Sequence, residues 1–267
     1  MRNQIAAVVL VSLYFVSGCA SSGGSDPQAT SQQAGSSQSQ TTPTDPLYAL
    51  TLMRQGSVMM QQGRLNEALS QFQQADRLAP GNATNFNMMG LCYLRLNDFG
   101  NALSSFDEAL RLVPGFTDAR NNRGATYLSM GQYRMAEVDF VAVLGDSTYP
   151  YRKQVYYNLG QTYYKRNQLG AAMENFRKAI ILPNPVFDAY VSLSEVAQQQ
   201  GELDYALTLL EEAKLNFPDR LELSLELGKL LILMGDEAEA RPHLEHVIAD
   251  APGSEAAQTA RALLGTG

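Results

Sequence analysis

From residue 49 onward the chain repeats one pattern of small, apolar and polar positions. A small residue stands at Gly56, Gly90, Gly124, Gly160 and Gly228, spaced 34, 34, 36 and 68 residues apart, with Ser194 filling the remaining place. Twelve positions after each comes Ala68, Ala102, Ala136, Ala172, Ala206 or Ala240. Sixteen after come Phe72, Phe106, Phe140, Phe176, Leu210 and Leu244, and nineteen after come Ala75, Ala109, Val143, Ala179, Ala213 and Val247. Pro80, Pro114, Pro218 and Pro252 close four of the units, and Pro150, Pro183 and Pro185 lie around the other two ends. This spacing predicts pairs of helices. Small residues let the two helices of a pair approach closely, and the aromatic fills the space beneath. Gly63, Gly131, Gly201 and Gly235 end the first helix where a positive φ is needed, and proline ends the second. One pair cannot bury its own apolar face, whereas stacked pairs bury a continuous one. Residues 254–264 read as a closing helix with a solvated outer side. No strand period competes.

The six-fold register over residues 49–254 resembles the tetratricopeptide repeat. The resemblance implies an all-α fold, a right-handed α-solenoid of six such repeats with a C-terminal capping helix, occupying residues 47–267. Its inner surface would be lined by the first helix of each pair.

Ahead of the repeats the pattern changes twice. Arg2 and the apolar run from Ile5 to Val16 read as a secretory signal over residues 1–18, too short for a membrane span. The run ends in Val16-Ser17-Gly18-Cys19, which resembles a bacterial lipobox. The resemblance implies a lipoprotein whose Cys19 carries covalent lipid, palmitate among the acyl chains, with no other cofactor. Two chains suffice for stable anchoring. Ala20, where an Asp would signal retention, implies outer-membrane sorting with the body facing the periplasm. Residues 19–46 form the lipidated cysteine and a tether. Sixteen of the 27 residues after Cys19 are Ser, Gln or Thr, too polar to offset the entropy of ordering. A flexible chain of that length reaches roughly 30 Å.

Composition sharpens this mostly by exclusion. With 267 residues, two Cys, two His, no Trp and a net charge of −7, a disulfide framework, a structural zinc site and a general nucleic-acid binder are all disfavoured. There is no phosphate-binding glycine loop and no nucleophile elbow, so neither an enzyme nor a small-molecule substrate is expected. His243 and His246 stand three apart beside Glu245. A metal there is conceivable, but exposed or half-buried histidines near a helix end are the favoured reading, and no metal is expected. Cys92 reads as a small packed thiol. The Asn82-Ala83-Thr84 sequon would meet no eukaryotic glycosylation pathway in the bacterium that the lipobox resemblance implies. The net charge hides an asymmetry: residues 47–186 carry 14 basic and 10 acidic side chains, residues 187–255 carry 4 and 15. Such a chain would steer a charged partner.

Mapped by the repeat family's inward positions, the groove would expose Met53, Met60, Asn87, Leu91, Leu94, Asn121, Leu128, Tyr157, Gln161 and Tyr164. Apolar anchors interleaved with amides suit an extended or amphipathic partner segment. No lysine stands at the position where some family members clamp a C-terminal carboxylate. Arg120 and Arg123 occupy slots that are apolar in neighbouring repeats, so each must snorkel, pair with an acid such as Asp118, Asp139 or Asp146, or meet a partner.

The register slips by two residues between Gly124 and Gly160. There the run Tyr149-Pro150-x-Arg152…Val155-x-x-Asn158-Leu159-Gly160, with Asn121-Asn122-x-Gly124 before it, resembles the type IV pilus biogenesis and stability lipoproteins, the secretin pilotins. The resemblance marks Tyr149, Pro150, Arg152 and Asn158 as signature residues. It implies a non-enzymatic outer-membrane pilotin that binds the secretin of the type IV pilus machine and promotes its membrane insertion and multimerisation, serving twitching motility. A scaffold lipoprotein of another envelope machine is the alternative: a tight-adherence pilus, or outer-membrane protein or cell-wall assembly.

Overall fold

A computed structural model describes residues 46–265. The signal segment, Cys19 and nearly all of the tether lie outside these residues. Among the described residues there are thirteen α-helices and no strand. They fall into two compact units, one ending at Val113 and the other beginning at Pro114.

The first unit holds α1 (Pro46–Gln61), α2 (Leu65–Leu78), α3 (Ala83–Arg95) and α4 (Phe99–Leu112). Pro46, read from sequence as the last tether residue, opens α1, because a helix's first position has no intrahelical use for the missing N–H. Asn82 caps α3 by accepting from the Asn85 amide at 3.1 Å, and Asp98 caps α4 by accepting from Asn101 at 3.3 Å. Within each pair the expected small-against-aromatic contact is present. A Cβ added at Gly90 would sit 2.5 Å from Phe106 Cε1, and one at Gly56 would sit 2.8 Å from Phe72 Cε1. Phe72, Phe106, Ala68, Ala102 and Ala109 are fully buried. Cys92 on α3 is equally buried, and burial pushes its thiol up to about 11.

The second unit repeats the plan with α5 (Thr117–Ser129) on α6 (Tyr133–Leu144), α7 (Arg152–Lys165) on α8 (Leu169–Ile181), α9 (Phe187–Gln199) on α10 (Leu203–Asn216), and α11 (Leu221–Met234) on α12 (Glu237–Asp250). Gly124 meets Phe140 and Gly160 meets Phe176 as in the first unit. Ser194 departs from glycine and donates to the Ala206 carbonyl at 3.3 Å, so the polar atom in the crossing is satisfied. The closing helix α13 (Glu255–Leu263) is capped by Ser254 and packs Ala260 against Leu231, Leu244 and Val247.

The turn between the two helices of each pair uses one left-handed residue in the same slot. It is Gly63 and Asn97 in the first unit, and Gly131, Asn167, Gly201 and Gly235 in the second. The four glycines are those expected from sequence. Asn97 and Asn167, both at φ 59°, do the same work, because asparagine tolerates this region better than other side chains.

Candidate binding surfaces

The first helix of each pair presents a face that its own partner helix does not cover. In the first unit, α1, α2 and the start of α3 enclose a cavity of about 180 Å³. Its walls are apolar, formed by Pro46, Ala49, Leu50, Met53 and Ala75. Leu50 is exposed, and Met53 is half-buried at the rim. Asn85 also lines the cavity and is 1 % exposed. Its Nδ2 donates to the Phe72 carbonyl at 2.8 Å, while its Oδ1 has no hydrogen-bond partner. A buried acceptor without a donor costs about 1–3 kcal/mol, and it sits beside a space into which a donor could come. The signal was present in the sequence. In the four later pairs the equivalent slot holds Ala119, Val155, Ala189 and Leu223, all buried, whereas the first pair has the exposed Thr51 there, so a buried asparagine at this slot departs from the later pattern.

In the second unit the same face of α5, α7 and α9 is aromatic and amide-rich. Tyr157, Gln161 and Tyr164 follow one another on α7 at helical spacing and are half-buried. Gln161 Nε2 donates to Ser192 Oγ at 2.9 Å and to the Tyr157 hydroxyl at 3.3 Å, and Gln199 Nε2 donates to the Tyr164 hydroxyl at 2.6 Å. The Tyr157 ring lies 5.9 Å from that of Phe176, and burial, then the charge of Asp188, raises its hydroxyl above the ordinary tyrosine range. Two more buried amide oxygens have no partner here, Asn121 Oδ1 on α5 and Gln154 Oε1 on α7. Leu128 is half-buried at the end of α5.

Four residues expected in the groove are instead packed. Met60 is fully buried, and Asn87, Leu91 and Leu94 are buried at 3, 4 and 6 % exposure. The arc of a first helix left open is narrower than the family positions suggest, because other helices of the first unit pack against α1 and α3. Met60 shows this directly: its carbonyl accepts from Arg95 of α3 at 3.0 Å.

The signature run between α6 and α7 is a clasp. Asp146 Oδ1 accepts from the Thr148 amide and hydroxyl, and its Oδ2 accepts from Thr117 Oγ1 at 3.2 Å. Arg152 Nη1 donates to the Leu144 and Asp146 carbonyls, both at 2.8 Å, and the buried Tyr149 donates to Asp118 at 3.0 Å. These bonds hold Asp146 below the usual carboxylate range, the Thr148 hydroxyl contributing most. The clasp absorbs the two extra residues. Pro150 is exposed beside it, and Asn158 accepts from Thr162 through its carbonyl.

The two arginines resolve differently. Arg123 makes a two-pronged pair with Asp139, at 2.8 and 2.7 Å, and Asp139 is 2 % exposed. Arg120 donates to the Pro114 carbonyl at 2.7 Å. His246 faces Ser224 Oγ at 3.0 Å and Asp250 at 3.2 Å, and burial lowers the pKa of His243. Among the described residues no three His, Cys, Asp or Glu side chains converge on one point, and no helix is long and apolar enough to cross a membrane.

Residues 87–133, 153–182 and 188–264 match models described as tetratricopeptide repeat. The solved structure of PilW, described as a widely conserved type IV pilus biogenesis factor, is similar over 79 % of this chain and 97 % of its own, at 20 % identity and a TM-score of 0.72. Pseudomonas aeruginosa PilF is similar over 81 % of this chain and 98 % of its own, at 18 % identity and a TM-score of 0.69. YrrB, described as a tetratricopeptide protein with an unusual peptide-binding site, gives a TM-score of 0.54 at 20 % identity over 72 % of this chain and 97 % of its own. Comparison with curated protein sequences gives no match. The chain has the all-α tetratricopeptide fold.

Proposed function

We propose that this chain is a non-enzymatic binding scaffold for an apolar segment of another envelope protein, and that the segment belongs to the secretin of a type IV pilus machine. Lipid on Cys19 would hold it at the outer membrane with the repeats in the periplasm, bringing the secretin subunit to the bilayer where it inserts and multimerises. The observation that carries the binding reading is Asn85 Oδ1, an unpartnered acceptor in the wall of an apolar cavity. A peptide supplies what is missing: a backbone N–H for the oxygen and a side chain for the space. Asn121 and Gln154 offer further buried acceptors in the other unit. The pilus assignment draws on the lipobox, the signature run and the likeness in fold to PilW and PilF.

A photo-crosslinking residue at Leu50, exposed at the cavity rim, tests both halves in living cells. Secretin should be captured, and Asn85→Leu should reduce capture by roughly tenfold, the worth of one charge-free hydrogen bond in a closed site. A barrel-assembly or cell-wall protein captured instead would overturn the pilus assignment. No captured protein would overturn the cavity. Cys19→Ala should leave a folded protein off the membrane with secretin rings failing to assemble; normal rings would remove tethering from the mechanism.

A further inference from the structure

The second helix of each pair turns three positions outward, all exposed except the half-buried Gln74 and Glu108, and in five pairs they are polar or charged, proline apart. They are Ser70, Gln73 and Gln74 on α2, and Ser104, Asp107 and Glu108 on α4. On α8 they are Glu174, Arg177 and Lys178, on α10 Thr208, Glu211 and Glu212, and on α12 Pro242, Glu245 and His246. On α6 they are Val138, Val141 and Ala142. Val138 is 63 % exposed, Val141 52 %, and Met135, one turn before Val138, 49 %. No described residue of the second unit covers them. An exposed helix face that is apolar where its sister helices are charged marks an interaction surface.

Chemistry next to the stripe specifies the occupant. At the N-terminal end of α6 a shallow, open hollow of about 440 Å³ is lined by Gln132, Tyr133, Arg134, Met135 and Arg166. Arg166 is paired with Glu137, whereas Arg134 is exposed and has no acidic partner among the described residues. Gln132 gives the helix no side-chain cap, so the positive end of α6 opens into the same space. Residues 114–186 carry nine basic and five acidic side chains. The surface therefore pairs an apolar stripe with a basic socket at one end. A helix flank has no free backbone ladder, so a strand cannot be added to it; the fitting element is another helix, ridge into groove. The basic end terminates an apolar stripe only one helix wide, which favours a protein segment over a lipid surface.

We propose that the outer face of α6 docks an amphipathic helix of a partner protein, its apolar stripe on Met135, Val138, Val141 and Ala142 and an acidic C-terminal turn in the Arg134–Arg166 socket. That orientation sets the two helices antiparallel, so their dipoles oppose favourably. The surface lies on the second helix of its pair and is separate from the faces invoked above.

Two synthetic helical peptides of about 18 residues, long enough to form several turns, test this with the full chain. Both carry one leucine stripe; one ends in two glutamates and the other in two lysines. The acidic peptide should bind at least tenfold more tightly by fluorescence anisotropy, a margin of about 1.4 kcal/mol, and shift the methyl resonances of Val138, Val141 and Met135. Val138→Lys and Val141→Lys should each lose roughly tenfold, with the helical circular dichroism signal unchanged. Arg134→Glu should reverse the preference, which loss of a merely greasy patch would not do. Equal binding of the two peptides, or a preference unmoved by Arg134→Glu, would overturn the proposal. So would a concentration-dependent dimer that Val138→Lys abolishes, which makes the occupant a second copy. Pelleting with anionic vesicles without peptide binding would make it a lipid surface and also overturn it. Crosslinking from Leu50 should be unaffected by these variants, so failure here and failure of the cavity are separate results.

Discussion

Helices α6 and α8 occupy the same position in consecutive pairs and differ in almost everything except the side that matters for folding. Inward, both offer a fully buried alanine and phenylalanine, Ala136 with Phe140 and Ala172 with Phe176, against a glycine of the first helix. Halfway round, α6 has Asp139 paired with Arg123, where α8 has Asn175 and α7 has Leu159. Outward, α6 is Val138, Val141 and Ala142, while α8 is Glu174, Arg177 and Lys178. The repeat therefore constrains a narrow strip of each helix and leaves the rest free to be specialised. That is expected where each unit touches only its neighbours.

The sharpest way to break the comparison is on the shared strip. Phe140→Ala and Phe176→Ala should each cost about 3–5 kcal/mol, because the ring fills the space beneath a glycine that nothing else can reach. Denaturant melts of the two variants should agree within about 1 kcal/mol. A large disagreement would mean that the two inner faces are not equivalent.

Next comes the strip where they differ. Asp139→Ala or Arg123→Leu alone strands a buried or part-buried charge and should cost roughly 3 kcal/mol. The double change Arg123→Leu with Asp139→Asn copies the residues of the following pair and should recover most of that loss. If the double variant is as unstable as the singles, the ion pair is a net source of stability and not a tolerated substitute.

The smallest effect belongs to the outer faces. Glu174 pairs with Lys178 at 2.6 Å, and the Lys178 hydrogen bond, followed by its charge, holds the carboxyl below the ordinary glutamate range. Its contribution is therefore complete above the unfolded carboxyl's pKa and fades as pH falls through the lower folded value. Both groups are exposed, so Glu174→Gln should lower the neutral-pH melt only slightly, match the parent chain at acid pH, and so flatten a shallow decline in stability below about pH 4.5, a decline that added salt should also weaken.

The same division explains what could be read from the amino-acid sequence. Gly90, Ala102 and Phe106 are legible because sterics leave few alternatives at those slots. The left-handed turn is legible where it is glycine and hidden where Asn97 and Asn167 serve, since asparagine also caps helices and lines surfaces. The groove was the hardest part. Whether Leu91 or Tyr157 is reachable depends on how much of a helix its neighbours cover, and that is set by packing across pairs, not by position within one. Hence Met53, Tyr157, Gln161 and Tyr164 remain partly accessible while Met60, Asn87, Leu91 and Leu94 do not. Asn85 shows the converse: its departure from a slot that is apolar in the four later pairs was visible, but only the cavity beside it gives the departure a meaning.

Cys92 has one further use. Its thiol is sealed within α3 and held protonated at neutral pH, so an alkylating reagent meets it only when the second repeat opens. In a chain with Ala at position 19 it is a built-in timer of local breathing. The labelling rate, compared with that of a short cysteine peptide, converts directly into the equilibrium for that opening. A ligand that fills the cavity between α1, α2 and α3 should slow the timer without touching the sulfur, turning an unremarkable packed residue into a readout of occupancy in the native protein.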